Sequence, residues 1–445
     1  MHFIRPRLMK EYRKILYNFI RSGKILSPPG ACGEKMPVVK YKKRKPVCDA
    51  GISGRVFLNG KDKRRAAASR AAPPKGEKMR KFPALLLSAL MLLSLAACGK
   101  APAAAPQEPV ETGAESRVIV DAAGRRVEVP ETVERAVCVG VGALRYSCYV
   151  GAAERICGVE DYETRGDMSR LYNYVNFDRF KDLPVIGTNG EPDSEAIITV
   201  DPQVIVMSSY AGADPDDLSA RTGIPVVVVP GSDTTLDDKA YETIGILGAL
   251  YGLEDRAAEL SGYLKGIQAD LEKRTAGIAE EDKPAVYVAG VSFKGIHGFE
   301  GTEAHYGPLA LIGANNLADT TGQSLAFDVD PEQVLSWDPD IIFLDFNGME
   351  LINEDFANNP DYYRALTAVR EGRVYSQISF RSYASNLETA LADAYYAASV
   401  MFPEQFADVD VEAKTGEIFE MLLGANPYDD LKEAGYAFRA ITIGE

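Results

Sequence analysis

Two histidines lie eight residues apart in a glycine-rich segment in the second half of the chain. His297 and His305 both belong to the segment Gly290–Tyr306, which follows a β-branched run and precedes a helical pattern. Imidazoles can ligate iron or another metal, or donate hydrogen bonds to an anion, although surface and capping histidines are more common. Because the sequence names no supporting partner for a metal site here, contact with a bound ligand and direct metal ligation both stay open.

An arginine lies in a second glycine-rich segment, Gly140–Tyr146, directly after a predicted strand. Glycines let a helix N-terminus approach a ligand, and Arg145 could pair with a carboxylate, a phosphate or an oxyanion. The alternative is a surface arginine on a helix. Further candidate ligand contacts follow other predicted strands or end these segments, and they add hydroxyls, aromatic rings or positive charge: Tyr146, Tyr162, Ser209, Tyr210, Tyr306, Arg381 and Tyr383.

A candidate export signal ends at Cys98. A basic pair stands at 80–81, the apolar run 85–95 is too short to span a bilayer, and small residues precede the cysteine. The ending Leu-Ala-Ala-Cys is typical of bacterial lipoproteins. We therefore expect residues 79–97 to be a signal peptide and the lipidated Cys98 to hold the mature chain on the outer face of the cell membrane. A buried helix that ends in Cys is the alternative, and the flanking charges disfavour it.

Residues 1–78 form a basic leader without a recognisable pattern. Residues 1–81 hold 23 Lys and Arg against 5 Asp and Glu, whereas the remaining residues hold 26 against 59. An export signal belongs at a chain start, so a misassigned start codon or a disordered leader is the expected explanation. The acidic remainder argues against nucleic acid as a partner, and an anion site must be built from individual basic residues.

Three cysteines follow Cys98, at positions 138, 148 and 157. Their spacing fits neither a zinc site nor a redox motif. One disulfide with a free thiol and three buried thiols are both possible, and the apolar surroundings favour buried thiols.

The apolar pattern after the signal predicts two lobes. Residues 98–117 form a tether rich in Pro and Ala, and the remainder exceeds the size of one ordinary core. Short β-branched runs alternate with helical stretches over 118–239 and again over 283–445, which predicts two mainly parallel sheets of an α/β protein. The segment 240–282 between them is predicted to be helical. Its apolar residues are spaced three and four apart: Ala257, Leu260, Leu264, Ile267 and Leu271.

Specific stretches resemble the substrate-binding proteins of ABC importers for iron complexes, haem and corrinoids. Val118–Pro130 with Arg135–Val139 is similar to the opening hairpin and first strand of that family. Asp193–Val206 is similar to its motif before a strand of the first lobe, and Asp330–Phe343 repeats this design in the second. The resemblance covers about residues 118–410. It implies a periplasmic-binding-protein fold with two α/β lobes bridged by one long helix, a ligand cleft between the lobes and only small hinge motion.

Two acidic residues occupy matching positions in this internal repeat. Glu195 and Glu332 each fall in the first turn of a predicted helix, where a carboxylate complements the helix dipole. In the family, one glutamate on each lobe docks onto an arginine of the membrane permease. The resemblance therefore implies that Glu195 and Glu332 contact a permease, and plain helix capping is the alternative.

The resemblance implies reversible binding without catalysis. The expected cargo is an iron complex such as a ferric siderophore or a haem-like chelate, passed by a monomer to an ABC permease and its ATPase, with no cofactor of its own. A corrinoid or a molybdate-type oxyanion is the alternative cargo, although Trp337, the only tryptophan, lies in a predicted docking helix. A two-lobe metalloenzyme that uses both histidines is a further alternative, but the sequence supplies no third ligand and no phosphate loop or nucleophile motif.

Overall fold

The computed structural model describes residues 115–231 and 235–445. The leader, the signal peptide, Cys98 and nearly all of the tether lie outside the described residues, so the statements above about them stay predictions. Among the residues described, no helix combines the length and the apolar character that a membrane crossing requires.

The first lobe is built around a parallel sheet. Its strands, in chain order, are β1 (Ser116–Val120), β2 (Arg126–Pro130), β3 (Ala136–Val139), β4 (Ile156–Gly158), β5 (Gly187–Thr188), β6 (Glu191–Pro192), β7 (Val204–Ser208) and β8 (Val226–Val229). Its helices are α1 (Ala143–Tyr149), α2 (Leu171–Val175), α3 (Phe177–Phe180), α4 (Ser194–Val200) and α5 (Pro215–Thr222). Strands β4, β3, β7 and β8 lie side by side in that order and pair in parallel. Helices cover this sheet, which is why its strands are continuous apolar runs.

A pair of helices leads from the first lobe to the second. Helix α6 (Asp238–Tyr251) is followed by the 22-residue α7 (Glu254–Thr275), which has Glu254 and Asp255 in its first turn. The five apolar residues predicted to form one stripe of α7 are all buried. Apolar spacing of three and four places these side chains on one helix face, and their burial holds the helix against the core of the protein.

The second lobe repeats the architecture of the first. Its strands are β9 (Ala285–Ala289), β10 (Gly301–Glu303), β11 (Asn315–Asn316), β12 (Ala326–Asp328), β13 (Ile341–Asp345) and β14 (Val374–Gln377). Its helices are α8 (Gly307–Leu311), α9 (Pro331–Trp337), α10 (Met349–Asn358), α11 (Pro360–Ala365), α12 (Thr367–Arg370), α13 (Leu387–Met401), α14 (Val411–Leu423) and α15 (Tyr428–Glu433). Strands β11, β9, β13 and β14 pair in parallel in that order. The predicted fold class, two parallel-sheet α/β lobes joined through a long helix, is confirmed.

The internal repeat has the same local structure in both lobes. Helices α4 and α9 each have seven residues and are each preceded by a capping aspartate. The Asp193 carboxylate accepts two backbone N–H groups of the first turn, and the Asp330 carboxylate accepts one. Each helix ends at a second aspartate in the left-handed conformation, Asp201 or Asp338, and a buried strand follows. The same capping chemistry therefore fixes where both helices start and stop.

The three cysteines of the folded region are free thiols. Cys138 is buried, whereas Cys148 and Cys157 are half-buried. Burial raises the pKa of the Cys138 thiol to about 12, which keeps it protonated and unreactive at neutral pH. The sequence favoured three buried thiols, and the structure shows three free thiols of which only Cys138 is buried.

Candidate functional site

The carboxyl ends of both parallel sheets carry the loops in which the candidate residues lie. Parallel α/β sheets bind ligands at this edge, because helix N-termini and loops converge there. In the first lobe, a buried carboxylate organises these loops. Glu160 accepts hydrogen bonds from the backbone N–H groups of Gly140 (2.9 Å) and Gly190 (2.5 Å), and Tyr162 Oη lies 3.3 Å from it. Burial raises the pKa of Glu160. The sequence analysis missed Glu160, although it follows β4 just before Tyr162.

Arg145 is a bridge between the two lobes. Its side chain is 1% exposed and donates to the carbonyl oxygens of Ser382 (2.9 Å), Tyr383 (2.6 Å) and Ser385 (3.0 Å) and to Asn386 Oδ1 (3.0 Å). This differs from the expectation that Arg145 binds an anion. The loop has Tyr383 and Ala384 in the left-handed conformation, and its carbonyl groups take the guanidinium donors of Arg145.

Two tyrosines from opposite lobes stack next to this bridge. The rings of Tyr162 and Tyr383 have centroids 4.2 Å apart and planes within 3°. The Arg170 guanidinium lies 5.3 Å from the first ring centroid and 5.2 Å from the second, and it forms a buried ion pair with Glu163 (3.1 Å). The structure therefore brings Tyr162 and Tyr383 together, and it adds Arg170, which the sequence analysis did not select.

The basic group of the second lobe is also paired. Arg381 Nε donates to Glu303 Oε2 (3.0 Å), and a second contact makes this a two-pronged ion pair with a buried carboxylate. Arg381 therefore lies in the site with its charge already balanced. Glu303 was not predicted, because nothing in the sequence Gly301–Glu303 marks its carboxylate as buried.

Tyr306 is a correction to the predicted ligand contacts. Its side chain is fully buried, packs edge-on against Phe380 and makes no hydrogen bond from Oη among the described residues. Tyr146 is also buried and packs against Tyr149. Both tyrosines belong to the hydrophobic core rather than to the exposed surface of the cleft.

The exposed candidates lie on both sides of the cleft. Tyr210 is 42% and Tyr383 41% exposed, and Ser209 is also exposed, with its Oγ accepting the Gly231 N–H (2.8 Å). The Tyr210 ring lies so close to Gly231 that a Cβ at that position would lie 2.1 Å from the ring. Gly231 therefore lets this aromatic ring lie flat on the loop after β8.

The two histidines have different surroundings. His305 has a positive φ of 57° and a side chain that is 67% exposed, 3.6 Å from the Asp319 carboxylate. His297 stacks on Phe293 and pairs with Asp328 (2.7 Å). Among the described residues, the acidic and histidine side chains that converge closely enough to share a metal ion include His297 but not His305. The structure therefore does not support a metal site that uses both histidines.

A groove of about 790 Å³ runs from the cleft along α7 and the second lobe. Glu303, His305 and Arg381 line one part of it, together with Thr235 from the loop after β8. Its volume falls in the range of pockets that hold small organic ligands, which is roughly 300–1,000 Å³. Glu195 and Glu332 lie elsewhere on the surface, exposed in the first turns of α4 and α9.

Comparison with known proteins places the chain in a family. Residues 150–377, more than half of the chain, match the periplasmic binding protein family. The molybdate-binding protein MolA of Haemophilus influenzae is 20% identical over 325 residues, which are 68% of this chain and 90% of that protein.

Solved structures share the fold. A periplasmic solute-binding protein from Veillonella parvula has a TM-score of 0.57 at 18% identity, covering 70% of this chain and 94% of its own. The TroA-like periplasmic binding protein FepB from the same species has a TM-score of 0.54 at 21% identity, covering 73% and 98%. The resemblance seen in the sequence is confirmed, and the chain belongs to the periplasmic binding protein family of ABC-transporter solute-binding proteins.

Proposed function

We propose that this chain is the lipid-anchored substrate-binding protein of an ABC importer and that its cargo is an iron complex, a ferric siderophore or a haem-like chelate. Membership of the family supports solute binding and transport rather than catalysis. The observation that favours a chelate is the chemistry of the cleft surface. Tyr210 and Tyr383 present exposed aromatic rings, one on each lobe, and rings of this kind bind the apolar and aromatic surfaces of organic chelators.

The partners that the arginines of the cleft already have also favour a chelate over a small free anion. Arg145 is bound to carbonyl oxygens, Arg170 to Glu163 and Arg381 to Glu303. Breaking a buried pair of this kind costs several kcal/mol, about 3–5 kcal/mol when one partner is removed. A cargo that binds through its organic ligand surface leaves these pairs intact.

The second candidate cargo is a molybdate-type oxyanion. The similarity to MolA of Haemophilus influenzae, a molybdate-binding protein, favours it. In this chain, His305 is the exposed donor that lines the groove, and Arg381 lies at the same surface. An oxyanion would have to take Arg381 from Glu303, so binding would rearrange this ion pair. The exposed rings of Tyr210 and Tyr383 do not favour a corrinoid over another organic chelate.

Delivery of the cargo requires contact with a permease and its ATPase. Glu195 and Glu332 are the proposed contacts, because both carboxylates are exposed, both stand in equivalent first turns, and neither pairs with a Lys or Arg among the described residues. Two negative charges, one on each lobe, can steer and orient the docking of a monomer onto a permease with matching positive charges.

The proposed anchor is Cys98, which lies outside the described residues. Two acyl chains on one cysteine hold a protein on a membrane, whereas a single chain binds only reversibly. Cys98→Ser should move the protein from the membrane fraction to the soluble extracytoplasmic fraction. Unchanged membrane fractionation of Cys98→Ser would refute the anchor without affecting the cargo proposal.

A thermal-shift screen of the purified protein tests the cargo. A ligand that binds only the folded state raises Tm, by an amount that grows with its concentration above Kd. The probes are a ferric hydroxamate siderophore, haem, cobalamin, sodium molybdate and ferric citrate. A shift with the siderophore or haem, reduced in Tyr210→Ala, supports the proposal. A shift with molybdate that survives Tyr210→Ala but is lost in His305→Ala supports the second candidate and overturns the first.

A further inference from the structure

We infer that His297, Glu300 and Asp328 form a divalent-cation site on the second lobe, suited to Zn²⁺. One ligand atom from each side chain, an imidazole nitrogen and two carboxylate oxygens, lies within 4.8 Å of the other two. His297 and Glu300 are half-buried and Asp328 is exposed, so an ion could reach the site from solvent and keep a water ligand. The site is distinct from the groove lined by His305 and Arg381.

The local fold brings the three residues together. Strands β10 and β12 pair antiparallel with Gly301 opposite Asp328, and the Val329 N–H donates to the Glu300 carbonyl oxygen (2.9 Å), so Glu300 and Asp328 lie at the same end of the strand pair. Just before β10 the chain makes a tight turn, in which the Gly301 N–H donates to the Gly298 carbonyl oxygen (3.1 Å). A Cβ on Gly301 would lie 2.5 Å from His297 Cβ. Glycine at 301 is therefore what allows His297 to lie against the strand pair.

The hydrogen bonding of His297 selects the nitrogen that faces the carboxylates. Nε2 lies 2.9 Å from the Phe293 carbonyl oxygen, which can only accept, so Nε2 carries a hydrogen. In the neutral ring, Nδ1 then has a lone pair, and this lone pair faces Asp328 Oδ1 at 2.7 Å. In this arrangement the Nδ1 lone pair and the Asp328 carboxylate oxygen can both bind one metal ion. A backbone carbonyl that fixes the far nitrogen is the usual support of a metal-ligating histidine.

The charge around the site favours a metal ion. Glu300 and Asp328 lie near Asp330 and Glu332, and within the described part of the chain no Lys or Arg forms an ion pair with any of these four carboxylates. Burial raises the pKa of the neighbouring Tyr362, and the carboxylate of Asp355 raises it further, followed by those of Glu332, Asp330 and Glu300. A divalent cation would balance two of these four negative charges.

The ligand set indicates which cation fits. One imidazole and two carboxylates suit Zn²⁺, which takes three protein ligands and a water at about 2.0–2.2 Å in open sites. Ca²⁺ prefers six to eight oxygen ligands, so an imidazole nitrogen does not suit it. The two carboxylates can close around an ion by side-chain rotation, because Asp328 is exposed and the half-buried Glu300 accepts one long hydrogen bond, from the Gly298 N–H (3.3 Å), among the described residues.

The position suggests what a bound ion would change. Asp328 lies two residues before Asp330. Asp330 caps α9, and this helix carries Glu332 in its first turn. A cation here would lower the negative potential beside Glu332 and brace the β10–β12 pair against α9. This consequence rests on the proposed function, whereas the cation site itself does not.

Isothermal titration of the purified full-length protein with ZnCl₂ tests the site, with CaCl₂ as a second probe. We expect one Zn²⁺ event that His297→Gln and Asp328→Asn each weaken at least about tenfold. Asp361→Asn, which removes an exposed carboxylate elsewhere on the same lobe, should leave that event unchanged. Residues of the leader are common to all variants and contribute the same background.

A folding defect is separated from loss of the site by Glu300→Gln, which keeps the contact between His297 and Asp328. With Co²⁺ in place of Zn²⁺, the wild-type protein should show visible absorption of a low-coordinate site, and Glu300→Gln should lose it while its circular dichroism stays unchanged. Zn²⁺ affinity that is equal in the wild type, His297→Gln and Asp328→Asn, or Ca²⁺ binding that competes at the same site, would overturn the inference. Because the readout is metal binding, failure here leaves the importer proposal untouched.

Discussion

Tyr162 of the first lobe stacks on Tyr383 of the second, with ring centroids 4.2 Å apart and planes within 3°. Tyr162 is buried, whereas Tyr383 keeps part of its ring in solvent at the edge of the cleft. Arg170 lies against both rings and is itself tied to Glu163. The pair therefore joins the lobes at one side of the cleft and leaves an aromatic face available beside it.

Removing the exposed partner of this stack should weaken the contact between the lobes. Stacked aromatic pairs contribute about 0.5–1.5 kcal/mol beyond their buried area, so a double-mutant cycle of Tyr162→Ala and Tyr383→Ala should give a coupling energy of that size in urea unfolding. Tyr383→Phe keeps the ring and serves as the control. If Tyr383→Phe lost as much stability as Tyr383→Ala, the hydroxyl rather than the stack would carry the contact.

Arg145→Met should destabilise the protein by about 3 kcal/mol, because it leaves buried carbonyl oxygens of the 382–386 loop without donors. Arg145→Lys should recover little of this loss, since one ammonium group cannot reach the several acceptors that a planar guanidinium serves. Arg364→Met removes an exposed arginine and should change the unfolding free energy by less than about 0.5 kcal/mol. A similar small change in Arg145→Met would contradict the bridging role.

Asp345 should make the protein less stable as pH rises. Burial raises the pKa of Asp345 to about 7, although Ser379 Oγ and the Asn347 N–H (2.9 Å) donate to it. In the unfolded chain an aspartate has a pKa of about 3.9. Between these values the folded state holds a proton that the unfolded state has lost, so the contribution of Asp345 to stability falls by about 1.4 kcal/mol per pH unit as pH rises.

Asp345→Asn removes this dependence. The amide oxygen can still accept from both donors. The free energy of unfolding of Asp345→Asn in urea, relative to that of the wild type, should therefore increase steadily between about pH 5 and about pH 7. Asp361→Asn, at an exposed position, should show a constant difference over the same range. Parallel curves for Asp345→Asn and the wild type would show that Asp345 does not change its proton occupancy on unfolding.

The periodic elements could be predicted because their signals are local. The strand Val226–Val229 is continuously apolar, and the apolar residues of α7 recur at spacings of three and four. The repeated Asp caps of α4 and α9 are also local, since a capping carboxylate needs only the first turn of its own helix.

The site was predicted less well because its chemistry depends on distant partners. Arginine is a residue type that often binds anions, yet the partners of Arg145 are carbonyl oxygens more than two hundred residues away in the sequence. Glu160 and Glu303 have no distinctive neighbours in the sequence, and only the folded chain buries them. Tyr306 and Tyr210 both follow or end polar loops, but the inward or outward direction of each ring is fixed by tertiary packing.

Glu195 and Glu332 should be required for uptake and not for cargo binding. Each carboxylate lies in an exposed first turn, so its loss as a helix-dipole partner costs only about 0.3–1 kcal/mol of stability. A permease contact would instead appear as loss of transport in Glu195→Ala, Glu332→Ala and the double variant, with cargo affinity unchanged. Rim charges act mainly on the association rate, so the wild-type uptake rate should also fall as ionic strength rises.

Glu350→Ala is the matched control for this experiment, because Glu350 is likewise an exposed carboxylate in the first turn of a helix, α10. If Glu195 and Glu332 served only as helix caps, all three substitutions would cause the same small loss of stability and no loss of uptake. If either substitution reduced cargo affinity, the residue would belong to the cleft. Docking is therefore supported only when uptake falls in Glu195→Ala and Glu332→Ala while Glu350→Ala transports normally, since all three carboxylates are exposed in the first turn of a helix.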